Sequence, residues 1–185
     1  MRWWRLGIIA GGATIVVAAL VAGRLLPPPL ERAAVLSATV LDRDGALVRP
    51  FTTPDGTWRL AAAPEQVSRR YLAMLLAVED RRFMVHPGVD PLALLRAVGQ
   101  LVLRGRIVSG GSTLTMQVAR LLEPRPRTVA AKLIEIGRAL QLELRLSKRE
   151  ILGIYLTLAP FGGNLEGVRA ASLAWFGKEP DRLSD

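Results

Sequence analysis

The chain has 185 residues, half of them hydrophobic, which is enough for one domain with a real core and a small appendage. It contains no cysteine, so disulfides and cysteine-ligated metal sites are excluded. Its formal net charge of +9 favours an anionic partner such as a membrane surface or a phosphorylated substrate. We find no nucleic-acid-binding motif and no long basic run, so we expect no nucleic-acid partner.

The N-terminal segment has the pattern of a membrane anchor. Residues 6–23 carry no charged side chain, and Arg2 and Arg5 precede them. This pattern predicts a transmembrane signal-anchor over residues 6–26, a cytoplasmic tail at 1–5, and the remaining chain on the periplasmic side of the cytoplasmic (inner) membrane. A cleaved signal peptide is the alternative, since small residues occur near the end of the segment, but the apolar length favours an uncleaved anchor.

A proline-rich linker and a β-hairpin are predicted after the anchor. Three consecutive prolines from Pro27 are typical of a stiff extended spacer, and we assign residues 27–36 to a linker. Short strand-like stretches at 38–41 and 47–51 flank Asp42-Arg43-Asp44-Gly45. Asp-Gly between two such stretches predicts a hairpin turn.

Hydrophobic periodicity predicts helices for the rest of the chain. Apolar residues recur at helical spacing, and polar or proline residues mark the helix starts. Ser147 and Glu150 form a capping-box pattern, and Asn164 is expected to cap the last helix. The expected helices cover residues 64–80, 91–103, 112–123, 128–146, 148–161 and 164–176.

The turn between the first two helices concentrates chemically active groups. Glu79 ends a helix, where the helix dipole disfavours a negative charge, whereas Arg81 and Arg82 favour it. A carboxylate balanced in this way at a cleft edge is a candidate general base. The alternative is a solvated helix end, and the turn alone favours that alternative. The full turn contains Glu79, Asp80, Arg81, Arg82, Phe83, His86 and Asp90.

Two further motifs are suited to anion binding. Residues 110–117, Gly-Gly-Ser-Thr-Leu-Thr-Met-Gln, combine permissive glycines with a helix start whose N–H groups are free. Lys132 and Glu135 are three residues apart and therefore share a helix face. Taken singly, the first motif also fits an ordinary capped loop and the second a surface ion pair.

Four motifs in this order resemble the peptidoglycan glycosyltransferases of family 51. They are the turn at Glu79, the Gly-Gly-Ser-Thr stretch, Lys132-x-x-Glu135, and Lys-x-Glu-Ile-Leu-x-x-Tyr-Leu from Lys148. These enzymes are the membrane-anchored polymerase modules of class A penicillin-binding proteins and the monofunctional transglycosylases. The hairpin and residues 159–163, Ala-Pro-Phe-Gly-Gly, are similar to one branch of the class A proteins.

The resemblance implies a fold and an extent for the domain. We expect a mainly α, lysozyme-like glycosyltransferase domain with a short N-terminal β-hairpin. This domain would cover residues 37–185, be C-terminally incomplete, and be preceded by one transmembrane helix.

The resemblance also implies an activity in cell wall biogenesis. Family members polymerise lipid II into glycan strands by inverting displacement of undecaprenyl diphosphate. Glu79 matches the base that deprotonates the acceptor. Glu135 matches the second catalytic carboxylate, which acts at the diphosphate directly or through a divalent metal, Mg²⁺ or Mn²⁺; no organic cofactor is implied. The matching substrate-binding positions are Asp80, Arg81, Phe83, Gly111, Ser112, Thr113, Gln117 and Lys132.

Some positions have a structural interpretation or depart from the family pattern. His86 matches a structural position, and Phe83 also fits an anchor for the turn. Met116 and Thr157 stand where the family usually has glutamine and asparagine. The implied partners are lipid II, the growing glycan strand, the cytoplasmic membrane and other cell-wall synthesis proteins.

Two rival functions fit the same residues. The first is a glycan-cleaving, lysozyme-like enzyme that uses Glu79 as a general acid. The second is a non-catalytic membrane scaffold that binds partner proteins or glycan. A requirement for a lipid diphosphate donor separates the expected polymerase from both.

Overall fold

The computed structural model describes residues 27–45, 47–93, 95–96, 100 and 111–183. Within these residues, no helix is long and apolar enough to cross a membrane. The predicted anchor at 6–26 lies outside them.

The described chain is mainly helical, as predicted. Residues 91–93, 95–96 and 100, which fall in the second predicted helix, are helical as well. Short 3-10 turns occur at Pro64–Gln66 and Pro180–Arg182. The helices are α1 (Glu31–Ala34), α2 (Arg69–Glu79), α3 (Leu114–Leu122), α4 (Val129–Arg145), α5 (Lys148–Leu158) and α6 (Val168–Phe176), and the strands are β1 (Thr39–Leu41), β2 (Leu47–Pro50), β3 (Trp58–Arg59) and β4 (Leu165–Glu166).

The predicted hairpin is confirmed. β1 pairs antiparallel with β2, and Thr39 lies opposite Pro50. The second pairing, of β3 with β4, is parallel and was not predicted. It places residues 165–166 in a strand, so α6 begins at Val168 rather than at the predicted Asn164 cap.

Helices α3, α4 and α5 build the core that supports the site. Their inward side chains, Leu114, Val118, Leu142, Ile151 and Leu156, are almost completely buried. Each helix starts at a side-chain cap, because Thr113, Thr128 and Ser147 each accept a backbone N–H of the first turn. The capping box at Ser147 and Glu150 is confirmed.

A buried arginine fixes the segment after the prolines to the domain. The Arg59 side chain is 1% exposed, and Nη1 donates to the carbonyls of Arg32 at 3.0 Å and Val35 at 2.9 Å. Its Nε donates to Glu166 Oε2 at 2.7 Å. Residues 31–34, which fall within the predicted linker at 27–36, form a short helix held against the domain.

Gly88 lets the turn approach α4 closely. Its φ is +87°, and a Cβ there would lie 2.8 Å from both the Ala139 carbonyl oxygen and Glu143 Cγ. We expect Gly88→Ala to lower the free energy of unfolding by more than about 1 kcal/mol, because strain at positive φ and a steric clash combine. Urea denaturation measures this loss.

Gly45→Ala is the matched control for this prediction. Gly45 has a similar φ of +81°, but no atom lies within 4 Å of the added Cβ among the described residues. The control variant should lose clearly less stability. Equal losses in the two variants would show that the contact with α4 contributes nothing.

Candidate active site

A polar cleft of about 520 Å³ opens where α2 ends. Its walls come from the C-terminal end of α2, the turn at 80–90, the helical residues after Asp90, and the start of α3. It is lined by Ala77, Val78, Glu79, Asp80, Arg81, Arg82, Asp90, Ala93, Arg96, Ser112 and Thr113.

Glu79, the last residue of α2, presents its carboxylate at this cleft. The side chain is exposed, and Oε2 accepts a hydrogen bond from Gln117 Nε2 at 2.9 Å. Among the described residues, the other carboxylate oxygen has no hydrogen-bond partner. The carboxylate is thus oriented by α3 while one oxygen stays available to a ligand.

The side chain of Asp80, the next residue, makes its hydrogen bonds to other groups of the protein. Its side chain is buried; Oδ2 accepts the Leu114 N–H at 2.8 Å and lies 2.9 Å from His86 Nε2. The carboxylate therefore attaches the turn to the N-terminus of α3, where the helix dipole also favours a negative charge. His86 has the structural position that its motif suggested.

Phe83 lies in the core beneath the turn. It is 1% exposed, and Lys148 Nζ lies 4.6 Å from the centre of its ring. The same Nζ donates to the His86 carbonyl at 2.6 Å and to Glu143 Oε1 at 2.7 Å. This geometry supports the interpretation of Phe83 as an anchor for the turn, and it adds Lys148 and Glu143 to the residues that hold the turn in place.

The glycine-rich stretch and the Lys132 motif meet in space. Lys132 Nζ donates to Ser112 Oγ at 2.6 Å and to Glu135 Oε2 at 2.9 Å. Gly111, directly before Ser112, is half-buried. Because Ser112 also lines the cleft, the Lys132–Glu135 pair adjoins the space that contains Glu79.

The other two residues predicted on this stretch have defined partners. Thr113 is buried, caps α3 by accepting the Met116 N–H at 3.2 Å, and donates to the Gly88 carbonyl. Gln117 donates to Glu79. Thr113 thus shapes the cleft wall, whereas Gln117 orients the carboxylate.

Two of the positions that depart from the family pattern, Met116 and Thr157, lie in the interior. Met116 is completely buried in the core. Thr157 is also buried; it accepts the Ala62 N–H at 3.2 Å and donates to the Gly153 carbonyl at 2.8 Å. The threonine hydroxyl thus connects α5 to the chain before α2.

Tyr155, the tyrosine of the fourth motif, lies on α5 near Glu79. Burial, followed by the negative charge of Glu79 and by Tyr71, raises the pKa of Tyr155 to about 12, whereas Arg120 opposes the shift. Burial and Glu79 also raise the pKa of Tyr71. Both phenols therefore stay neutral at physiological pH beside the Glu79 carboxylate.

Comparison with known proteins agrees with these motifs. Residues 44–185 match the Transglycosylase family model. The chain is 50% identical over 170 residues to penicillin-binding protein 1C of Escherichia coli, covering 92% of this chain and 22% of that protein. It is 38% identical over 147 residues to penicillin-binding protein 1A of Pseudomonas aeruginosa, covering 78% of this chain and 17% of that protein.

A shorter relative matches almost end to end. The chain is 32% identical over 180 residues to a protein of Cupriavidus necator named as a transglycosylase, covering 97% of this chain and 69% of that protein. The chain spans only about a fifth of the length of the penicillin-binding proteins it matches. The expected family and the similarity to the 1C branch are both confirmed, and the chain belongs to the transglycosylase family.

Proposed function

We propose that this chain polymerises lipid II into peptidoglycan glycan strands. The observation that carries the proposal is the meeting of two motifs at one cleft. Glu79 is oriented there by Gln117, and Ser112 joins the same cleft to the Lys132–Glu135 pair. A base on one side and a cation with a carboxylate on the other are what a displacement from a diphosphate requires.

Glu79 acts as the general base. The 4-hydroxyl of the acceptor sugar gives its proton to the Glu79 carboxylate as its oxygen attacks C1 of the donor sugar. The new C1–O bond forms while the bond from C1 to the diphosphate oxygen breaks, and undecaprenyl diphosphate leaves with that electron pair. A single displacement of this kind inverts C1 and needs no covalent sugar–enzyme intermediate.

Lys132, Ser112 and Glu135 act on the departing diphosphate. The ammonium of Lys132 and the hydroxyl of Ser112 offer positive charge and a donor to its oxygens, while Glu135 holds Lys132 in place at 2.9 Å. Glu135 is 9% exposed, whereas the Lys132 side chain is 38% exposed, so the ammonium stays accessible to a ligand beside a nearly buried carboxylate.

A divalent metal, Mg²⁺ or Mn²⁺, fits this site only together with the substrate. Among the described residues there is no group of three or more His, Asp or Glu side chains that could hold a metal ion. Mg²⁺ sites commonly combine one or two carboxylates with substrate phosphates. Glu135 would be the protein ligand, and the metal would supply additional positive charge for the leaving diphosphate.

The proposed function is tested by offering two substrates to the purified, membrane-inserted chain. With labelled lipid II, we expect glycan strands to form. With preformed glycan strands and no lipid-linked donor, we expect no shortening of the strands. Cleavage of preformed glycan would favour the lysozyme-like rival, and inertness of folded protein towards both substrates would favour the scaffold.

We also propose that residues 1–26 form an uncleaved anchor that keeps the domain beside its lipid-linked substrate. Carbonate-washed membranes should then retain the full-length chain, and protease added to spheroplasts should digest the domain. Recovery of a soluble protein that begins near Arg24 would show that the segment is a cleaved signal peptide.

A further inference from the structure

The domain holds the chain almost directly after the end of the proposed anchor. The anchor ends at residue 26, and Pro28 is already buried. Leu30 and Ala33 pack against the hydrophobic core. Because one residue of extended chain spans at most about 3.5 Å, no more than about 7 Å separates the end of the anchor from Pro28.

Arg32 connects this segment to two distant parts of the domain. Its Nη2 donates to Glu166 Oε1 at 2.8 Å, and its Nη1 donates to the Leu121 carbonyl at 2.9 Å. Glu166 Oε2 also accepts from Arg59 Nε at 2.7 Å, so one carboxylate binds both arginines. Because Arg59 in turn donates to the Arg32 carbonyl at 3.0 Å, the segment is held through its side chain and its main chain.

These contacts are largely shielded from water. The exposed fraction of the side chain is 28% for Arg32, 13% for Glu166 and 1% for Arg59. Salt screens such partly buried ion pairs less than pairs at the surface, and a planar guanidinium with two acceptors fixes an orientation as well as a distance. The segment after the anchor is therefore attached rigidly to the domain.

Leu121 belongs to the helix that orients the proposed base. It follows Gln117 by four residues in α3, which is about 6 Å along the helix axis, and Gln117 donates to Glu79. The Leu121 carbonyl is one of the last four of α3, which lack partners within the helix, and the helix dipole favours a cation there. Arg32 thus joins the segment after the anchor to the helix that carries Gln117.

We propose that Arg32 and Glu166 are positioning residues that fix the height and tilt of the active-site cleft above the membrane. A lipid chain in the bilayer also holds the sugars of the substrate at a set height, so a cleft at constant height stays within their reach. This inference rests on the proposed function and on the anchor proposed with it. It gives a role to two side chains that lie outside the cleft and belong to none of the four motifs.

Two variants loosen this attachment in different ways. Arg32→Gln removes the guanidinium that binds Glu166 and Leu121. Insertion of eight Gly and Ser residues between Pro27 and Pro28 leaves the contacts of the domain in place and lengthens the free junction from about two residues to about ten. The control is Arg43→Gln, because the Arg43 side chain is 93% exposed in the hairpin turn.

Rates are measured with lipid II embedded in the same bilayer as the enzyme and with a water-soluble lipid II analogue that has a short chain. The insertion should lower the rate on bilayer lipid II about tenfold, because effective concentration falls roughly as the −3/2 power of tether length. Arg32→Gln should lower it by less, because Arg59 still holds the main chain. Both variants should keep the parental rate on the soluble analogue, and Arg43→Gln should change neither rate.

The difference between the two substrates separates positioning from support of the fold. Equal losses on both substrates in Arg32→Gln would show that Arg32 only stabilises the domain. A parental or higher rate of the insertion variant on bilayer lipid II would show that rigid attachment contributes nothing. Either result overturns the proposal, and the insertion variant decides it alone if Arg32→Gln does not fold.

Failure of the proposed function gives a different result. If the folded parent polymerises neither substrate, polymerisation is wrong, and the attachment is measured by distance. Because the chain has no cysteine, Ala174→Cys at an exposed position of α6 accepts a single dye. Energy transfer to acceptors in the bilayer should give a narrow range of distances for the parent and a broader range for both variants. Equal ranges overturn the proposal, and so does loss of residues 1–26 from the mature chain.

Discussion

Replacing Glu79 with glutamine should lower the rate of polymerisation by at least about 100-fold, the low end of the contribution from general-base catalysis. Glutamine keeps the shape of the side chain. Its amide oxygen can accept the hydrogen bond that Gln117 Nε2 donates to Glu79 Oε2 at 2.9 Å in the parent chain. It cannot take the proton of the acceptor hydroxyl. The measurement is the initial rate of glycan formation from labelled lipid II, with circular dichroism to show that the fold is retained.

The control for this variant is Glu65→Gln. Glu65 is also an exposed carboxylate, but it pairs with Arg149 at 2.8 Å and lies away from the cleft. Its replacement should leave the rate unchanged. Near-parental turnover by Glu79→Gln would remove Glu79 from the mechanism.

Glu135→Ala and Lys132→Ala should each lower the rate by about 100-fold, as removal of one group that stabilises transition-state charge commonly does. The two side chains act on the same diphosphate and are 2.9 Å apart. The double variant should therefore be no slower than either single variant, because loss of one partner already disables the pair. Rates of lipid II polymerisation by the three variants test this coupling.

Added divalent metal distinguishes two roles for Glu135. If the carboxylate holds Mg²⁺ or Mn²⁺, Glu135→Ala loses its dependence on the metal as well as its rate. If it only orients Lys132, the remaining rate still responds to metal. The control is Glu179→Ala, which breaks the Arg169–Glu179 pair, 2.8 Å long and outside the cleft. If the losses of rate in the two single variants simply add in the Lys132/Glu135 double variant, the pair is only a surface ion pair and does not act as a unit.

Local patterns were sufficient to predict most helices of this chain. The caps at Ser147 and Thr113 involve neighbours within three residues, so sequence spacing specifies them directly. The hairpin follows in the same way from its Asp-Gly turn. The first predicted helix was too long at its start, because Val67 adopts an extended backbone between Pro64–Gln66 and α2.

Contacts between distant residues could not be predicted in this way. The start of α6 was wrong because β4 pairs with β3, more than a hundred residues earlier. The hydrogen bond from Gln117 to Glu79 likewise joins residues 38 positions apart. The motifs identified these residues as a group, but only the packing of α3 against the turn brings them together.

Some residues of the Glu79 motif face the cleft and others are buried, and the motif itself does not distinguish the two groups. Phe83 and Asp80 belong to the same motif as Glu79, yet both are buried, because the turn folds them inward onto α3 and Lys148. A sequence motif indicates that a residue type is required at a position. It does not indicate whether the side chain contacts substrate or supports a neighbouring residue. Tyr155 belongs to a different motif from Glu79, yet the fold brings the two close enough for the Glu79 charge to raise the pKa of the phenol.

The most direct test of the central claim is to measure both products of lipid II turnover by the membrane-inserted chain. We expect glycan strands to grow with release of one undecaprenyl diphosphate for each disaccharide added, and Glu79→Gln to abolish both together. Glycan growth without release of the diphosphate, or release of diphosphate without glycan growth, would contradict the account.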